Sequence, residues 1–363
     1  MLDSSTRAEI RSGFLPERIV HLHPTRLCNL SCLHCYSSSG PEHNSALDLA
    51  PILRALPLLK AEGYNLVSLS GGEPLTYPHL LPLIDQAHAQ GLRVSMISNG
   101  LFPHKRLDDV ASRLDGMAIS FDGPAATHNR LRGRADAFER ASTAVAQLAD
   151  KGRPIAAAIS LTREAIPDLP DLADHLVRLG AKALQIRPVA LAGRAQSMAH
   201  LSRFTSADQA RLYLVVMALQ EELAGQVKVH CDLAPARSLW QQRDAYAALL
   251  AHCNQPSNPV AAERQLAGLI NPLVITETGA LKPISYDFNP VFDISNLAML
   301  SHMQLEHYKQ HRISAFQTLV GGALAELKNK EGLVDWFDYC TRMGETLANV
   351  DGFRSMRLPG NSR

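Results

Sequence analysis

From residue 18 onward, short apolar runs alternate with amphipathic stretches at about 30 residues per unit. Residues 19–27, 66–70, 92–98, 117–121, 155–161 and 183–187 read as strands. Between them, 47–62, 79–90, 105–114, 135–151 and 168–179 read as helices, and Gly63, Gly91, Gly152 and Gly180 stop four of the five. Strict alternation at this spacing calls for parallel strands joined by helical crossovers. Six such units predict an α/β fold, a partial (β/α)6 TIM-type barrel with its active site at the C-terminal ends of the strands. After about residue 200 the pattern changes. Helices are expected at 207–224, 238–251, 297–311 and 313–328, with a hairpin at 272–284, which together predict a small α+β extension. The expected division is an N-terminal segment 1–17, a barrel 18–200, an extension 201–357 and a frayed tail 358–363.

Lys plus Arg number 36 and Asp plus Glu 35, a balance that argues against a nucleic-acid binder. No run of 18 apolar residues occurs, so no membrane span is expected. The polar N-terminus lacks the apolar core of a signal peptide. Six cysteines, three of them in one loop, do not read as a disulfide framework. The expected location is the cytoplasm.

That loop follows the first strand. Cys28, Cys32 and Cys35 are spaced C-x3-C-x2-C. Three thiolates suit a [4Fe–4S] cubane whose fourth iron stays open to a small molecule. They also suit buried thiols, a redox pair, or a zinc site completed by His34. Zinc sites ordinarily need a second ligand pair at a distance, and the sequence offers none.

Further motifs follow in order: Ser70-Gly-Gly-Glu-Pro-Leu75, Ile97-Ser-Asn-Gly100 and Ile119-Ser-Phe-Asp-Gly-Pro124 with His128, Asn129 and Arg132. Gln185-Ile-Arg-Pro-Val189 with Gly193-Arg194-Ala195 completes the series. Singly, each has an ordinary explanation as a turn, a cap, a loop salt bridge or a strand end. Together they span residues 18–195 and resemble the radical S-adenosylmethionine (SAM) superfamily. Within it the resemblance is to the peptide- and cofactor-maturing group with a SPASM or twitch-like C-terminal extension.

The resemblance implies that Cys28, Cys32 and Cys35 hold the cluster and that its open iron chelates SAM. Reduction then cleaves SAM to a 5′-deoxyadenosyl radical. By the same resemblance, Gly71, Gly72 and Glu73 bind the amino group of SAM, Ser98 and Asn99 face its ribose, and Ser120 its carboxylate. Arg132 or Arg187 supplies positive charge, and the edge carrying Gly193-Arg194 packs near adenine. Asp122, His128 and Tyr286 are candidates for quenching or proton transfer. Asn129 stands where the group usually carries Asp.

The run 273–283 resembles the hairpin of that extension, but Ile284 stands where a cysteine is expected. At least one auxiliary-cluster ligand is therefore missing, and Cys231, Cys253 and Cys340 are read as buried inert thiols. The hairpin is expected to cap the barrel. The implied activity is hydrogen abstraction from a peptide or a natural-product or cofactor precursor. A porphyrin-type precursor and a non-catalytic iron–sulfur protein are the alternatives. Implied partners are an external one-electron donor such as flavodoxin or ferredoxin and, because about 17 residues precede the first strand, a separate peptide-presenting protein. Neither nucleic acid nor membrane is expected.

Overall fold

The computed structural model describes residues 17–198, 203–253 and 265–349. Expectations for 1–16 and for the tail 358–363, like the side chain of Cys253, lie outside the described residues.

Six strands pair in parallel in sequence order: β1 (Ile19–Leu22), β2 (Leu66–Leu69), β3 (Arg93–Ser98), β4 (Gly116–Phe121), β5 (Ile155–Leu161) and β6 (Ala183–Pro188). The crossovers carry α1 (Leu49–Ala61), α2 (Leu80–Ala89), α3 (His104–Ala111), α4 (Ala125–Arg132), α5 (Ala137–Asp150) and α6 (Leu169–Arg178). Because successive strands are neighbours, the sheet winds in one direction, as in a barrel and not as in a doubly wound sheet. Along β4, Met117, Ile119 and Phe121 are buried with Ala141, Val145 and Leu148 of α5, in one continuous core. The alternate residues of the strands turn to the other face. There Ser95, Ala118, Ser120, Ala156, Ser160, Gln185 and Arg187 are only half-buried. Closed barrels fill that face with bulky branched residues. Here it is small and polar.

The sheet does not stop at six strands. β7 (Lys228–Cys231) extends it parallel to β6, and β9 (Leu273–Ile275) parallel to β1. β10 (Ala280–Pro283) and β11 (Ser295–Asn296) continue antiparallel beyond β9, giving ten strands in all. The expected hairpin is therefore β9–β10, bonded edge-on to β1. Pairing there satisfies the free N–H and C=O groups of an otherwise open edge. A separate ribbon joins β8 (Leu233–Pro235) to β12 (Leu333–Asp335).

Other departures have local causes. Helix α4 was not expected, since only His128 and Leu131 of its eight residues are buried and no apolar stripe marks it. The expected helix 238–251 is two short helices, Ala236–Gln241 and Ala247–Cys253, separated by a 3₁₀ turn at Arg243–Tyr246. The expected helix 297–311 begins only at His302, because Leu297 N–H bonds Gly279 C=O and Ser301 caps Gln304 N–H. It then widens into a π-turn at Tyr308–Arg312. The helix Trp336–Ala348 also went unread; Asp335 starts it by accepting from Phe337 and Asp338 N–H.

The π-turn carries Lys309 to Glu62, at the end of α1. Lys309 Nζ lies 3.1 and 3.2 Å from the two carboxylate oxygens, and both side chains are buried. Glu62 also accepts the Leu266 N–H at 2.6 Å. One carboxylate thus ties the barrel to two parts of the C-terminal region. Removing one member of a buried pair typically costs about 3–5 kcal/mol. Lys309→Met should lower urea stability by that order, and a loss below about 1 kcal/mol would show the pair to be solvated.

Candidate functional site

Residues 23–48 form the loop between β1 and α1, at the C-terminal end of the strands. It has little regular structure, so its backbone groups pair across the loop and with neighbouring units. Cys28 N–H bonds Gly40 C=O, and Leu33 N–H bonds Leu131 C=O of α4. Cys28 and Cys32 are buried and Cys35 packs beside them, in a small cluster with Leu30, Leu101 and Ala137 that is separate from the main core. Asn99 Nδ2 points at Cys28 Sγ from 3.9 Å, and Ser39 N–H donates to Cys35 Sγ at 3.3 Å. Burial pushes the Cys28 thiol up to about 12, helped by the charge of Glu73, and burial raises that of Cys32.

The Gly-Gly-Glu segment after β2 is pinned to this loop. Gly72 N–H bonds Thr25 C=O, and Glu73 N–H bonds Leu27 C=O. A Cβ on Gly72 would stand 2.3 Å from the Leu27 oxygen, so this approach needs glycine. Glu73 then turns its carboxylate to the end of β3. It accepts from Ser98 Oγ at 3.0 Å, Asn99 N–H at 2.9 Å and Leu75 N–H at 3.2 Å. Burial pushes Glu73 up to about 7 against the pull of these donors.

On the other flank the loop meets β4 and α4. His34 Nε2 lies 2.9 Å from Asp122 Oδ1, and Arg132 grips the same carboxylate from Nε at 2.6 Å and Nη2 at 2.9 Å. His128 Nδ1 stands 3.2 Å from Asp122 Oδ2. Burial alone would raise Asp122, but Arg132, His34 and His128 hold it well below the usual carboxylate range. Asp122 and His128 are wholly buried, at 0% exposure each, and face loop and helix, not open space. Among the described residues no three His, Cys, Asp or Glu side chains converge as around a single metal ion.

Arg187 and Tyr286 lie elsewhere. Arg187 Nε is 3.4 Å from Asp232 at the β6–β7 edge. Tyr286, from the extension, donates to the buried Glu277 at 2.9–3.0 Å and stacks on His23 at 4.9 Å. Tyr36, next to Cys35, meets both rings edge-on and contacts Ser70 Oγ at 3.3 Å. Ser120 stays half-buried on the polar face of β4. His23 and Glu277 escaped the sequence reading; the only signal was the alternation of β1, which puts His21 and His23 on that polar face. In the extension, Cys340 is fully buried in the core and Cys231 half-buried on β7, and burial raises both thiols. Ile284 holds a left-handed φ of 66° where the extension's cysteine was expected.

The residues after β6 pack on the cysteine loop through Arg194. Its Nε donates to Cys32 C=O at 2.8 Å, its Nη2 to Ser39 C=O at 2.6 Å, and its N–H to Cys35 C=O at 3.0 Å.

Residues 22–176 match the family model of the Radical SAM superfamily. That stretch is a radical SAM domain. It is 28% identical over 176 residues to the sporulation killing factor maturation protein SkfB of Bacillus subtilis, covering 48% of this chain and 43% of that one. It is 32% identical over 222 residues to the mycofactocin maturase MftC of Mycobacterium ulcerans, covering 59% and 58%. The chain therefore spans about half the length of the curated relatives it matches. Streptococcus suis SuiB, crystallised with S-adenosylmethionine, superposes with a TM-score of 0.61 at 15% identity over 83% of this chain and 67% of its own. That likeness establishes the partial-barrel fold. No described helix is long and apolar enough to cross a membrane. The superfamily's cofactors are a [4Fe–4S] cluster and SAM, and the soft, sheltered thiols beside two arginines suit the former.

Two outcomes follow for this radical SAM domain. Asp122→Asn should cost about 3–5 kcal/mol in denaturation because it leaves Arg132 without its carboxylate, whereas Asp85→Asn, in an exposed pair with Arg113, should cost under about 1 kcal/mol. Equal costs would show the network to be solvated. Glu73 folded titrates at about 7, above its ordinary 4.5, so the folded state holds its proton longer. Wild-type stability relative to Glu73→Gln should fall as pH rises from about 4.5 to about 7 and stay level above. A difference independent of pH would place the Glu73 carboxyl at its ordinary value.

Proposed function

We propose that this chain is an enzyme that uses a [4Fe–4S] cluster and SAM to take hydrogen from a peptide or a natural-product or cofactor precursor. The single observation that carries the reading is the gathering of Cys28, Cys32 and Cys35 in one sheltered cluster at the C-terminal ends of the strands. The thiols would hold three irons and leave one open. When bound, the two groups supply one-electron cleavage of SAM and hydrogen abstraction.

The chain's own part is to position and to exclude water. The Gly71–Gly72 backbone, with Ser98, Asn99 and Ser120, would receive SAM beside Cys28. Glu73 fixes the ends of β2 and β3 toward that place. Asp122, His128 and Arg132 hold the loop, and do so without touching substrate. Arg187, His23, Tyr36 and Tyr286 would wall the substrate side. Residues 18–200 would serve as the catalytic barrel and 201–357 as the extension that closes it. The maturation roles in the names of SkfB and MftC support a peptide-type substrate. An electron donor of the flavodoxin or ferredoxin kind would supply the electron in the cytoplasm, with a separate protein presenting the peptide.

After anaerobic reconstitution the wild type should carry about four irons and four sulfides, and the Cys28/Cys32/Cys35→Ala variant almost none. Iron surviving in the variant would move the cluster to Cys231, Cys253 and Cys340. Zinc without cluster absorbance would overturn the reading altogether.

A further inference from the structure

We infer that Arg194 is a positioning residue for the cysteine loop and the loop's own counter-charge. The inference rests on the cluster reading above and adds to it a residue outside the cysteine, Gly-Gly-Glu and Ser-Phe-Asp-Gly motifs.

Two independent features of the geometry point there. The first is the strap. Arg194 makes three hydrogen bonds, and every acceptor is a backbone carbonyl of the loop: Cys32, Cys35 and Ser39. Two of these carbonyls belong to thiol-bearing residues, and the third follows shortly after. The contact spans 162 residues of sequence, so the end of the sixth βα unit closes over the first. Gly193 makes the approach possible. A Cβ there would stand 2.3 Å from Tyr36 oxygen and 2.5 Å from Cys35 oxygen, and its φ of +53° is left-handed as well.

The second feature is charge. Two arginines flank the loop, Arg132 through the Asp122 carboxylate that also holds His34, and Arg194 through the Cys32 carbonyl. Arg132 is matched by Asp122. Arg194 has no carboxylate within ion-pair distance among the described residues, and its guanidinium donates to the Cys32 and Ser39 carbonyls. Three thiolates bring net negative charge to a [4Fe–4S] cluster, and one-electron reduction adds another. An unmatched cation in a partly buried setting favours the more negative state. Arg194 therefore eases reduction while its fork fixes the Cys32 and Ser39 carbonyls. A lysine keeps the charge and the backbone bond to Cys35 but cannot bridge the Cys32 and Ser39 carbonyls with a planar fork.

The test compares wild type, Arg194→Lys and Arg194→Gln in two measurements. Amide hydrogen exchange on the metal-free chain reads the strap without any cluster. Both variants should exchange about tenfold faster across residues 28–40, with the rest of the barrel unchanged. An EPR-monitored redox titration of the reconstituted protein reads the charge. Arg194→Gln should shift the reduction equilibrium about tenfold toward the oxidised form, about 59 mV more negative for one electron, while Arg194→Lys stays near wild type. Wild-type exchange in both variants overturns the strap, and an unmoved potential in Arg194→Gln overturns the charge role. A wild type that binds no cluster fails the functional proposal instead, and the exchange arm still decides the strap.

Discussion

The structure depends on satisfying the backbone of one loop. The β1–α1 connection carries three thiols, yet it is neither helix nor strand. Some of its N–H and C=O groups pair within the loop, and others are paired from outside: by Gly72 and Glu73 after β2, by Leu131 of α4, and by Arg194 after β6. Each partner arrives from a different βα unit. A barrel whose strands follow one another in order brings those unit ends to the same face, which is why the loop is ordered only in the folded whole.

Electrostatics follows from the same arrangement. Asp122 gathers His34, His128 and Arg132, and the four side chains act as one buried body wedged against the loop. Glu73 does the same between β2 and β3 with neutral donors. Reactive and buried-structural acids use the same residue types, so a sequence shows neither the partners of Asp122 nor those of Glu73. The half-buried polar face carries Ser95, Ser120, Gln185 and Arg187, and His23, Tyr36 and Tyr286 pack against one another near it.

Much of this was legible beforehand. The strand Ile155–Leu161 is read to the residue, since an apolar run bounded by Gly152 and a polar turn has one solution. The helix Ala137–Asp150 differs at its ends alone, where capping and not periodicity decides. Helix α4 was hidden because two buried residues leave no stripe. In the site, the thiols and glycines were visible through spacing, which is local. The Asp122 network and the Arg194 strap were not, because each joins residues that only the fold makes neighbours. Arg194 was noticed as part of a motif but its contact with the loop was not; a motif gives residue type and order, not the direction of a guanidinium. The extension was half legible: β9–β10 was expected as a hairpin, but its pairing with β1 was not.

The central claim is that Cys28, Cys32 and Cys35 leave one iron open to SAM. Electron paramagnetic resonance of the reduced, reconstituted protein, recorded before and after adding SAM, addresses it most directly. The account predicts a [4Fe–4S]⁺ signal whose shape changes on addition, because SAM becomes a ligand. A signal that SAM leaves untouched would mean a fully ligated, electron-transfer cluster and would contradict it.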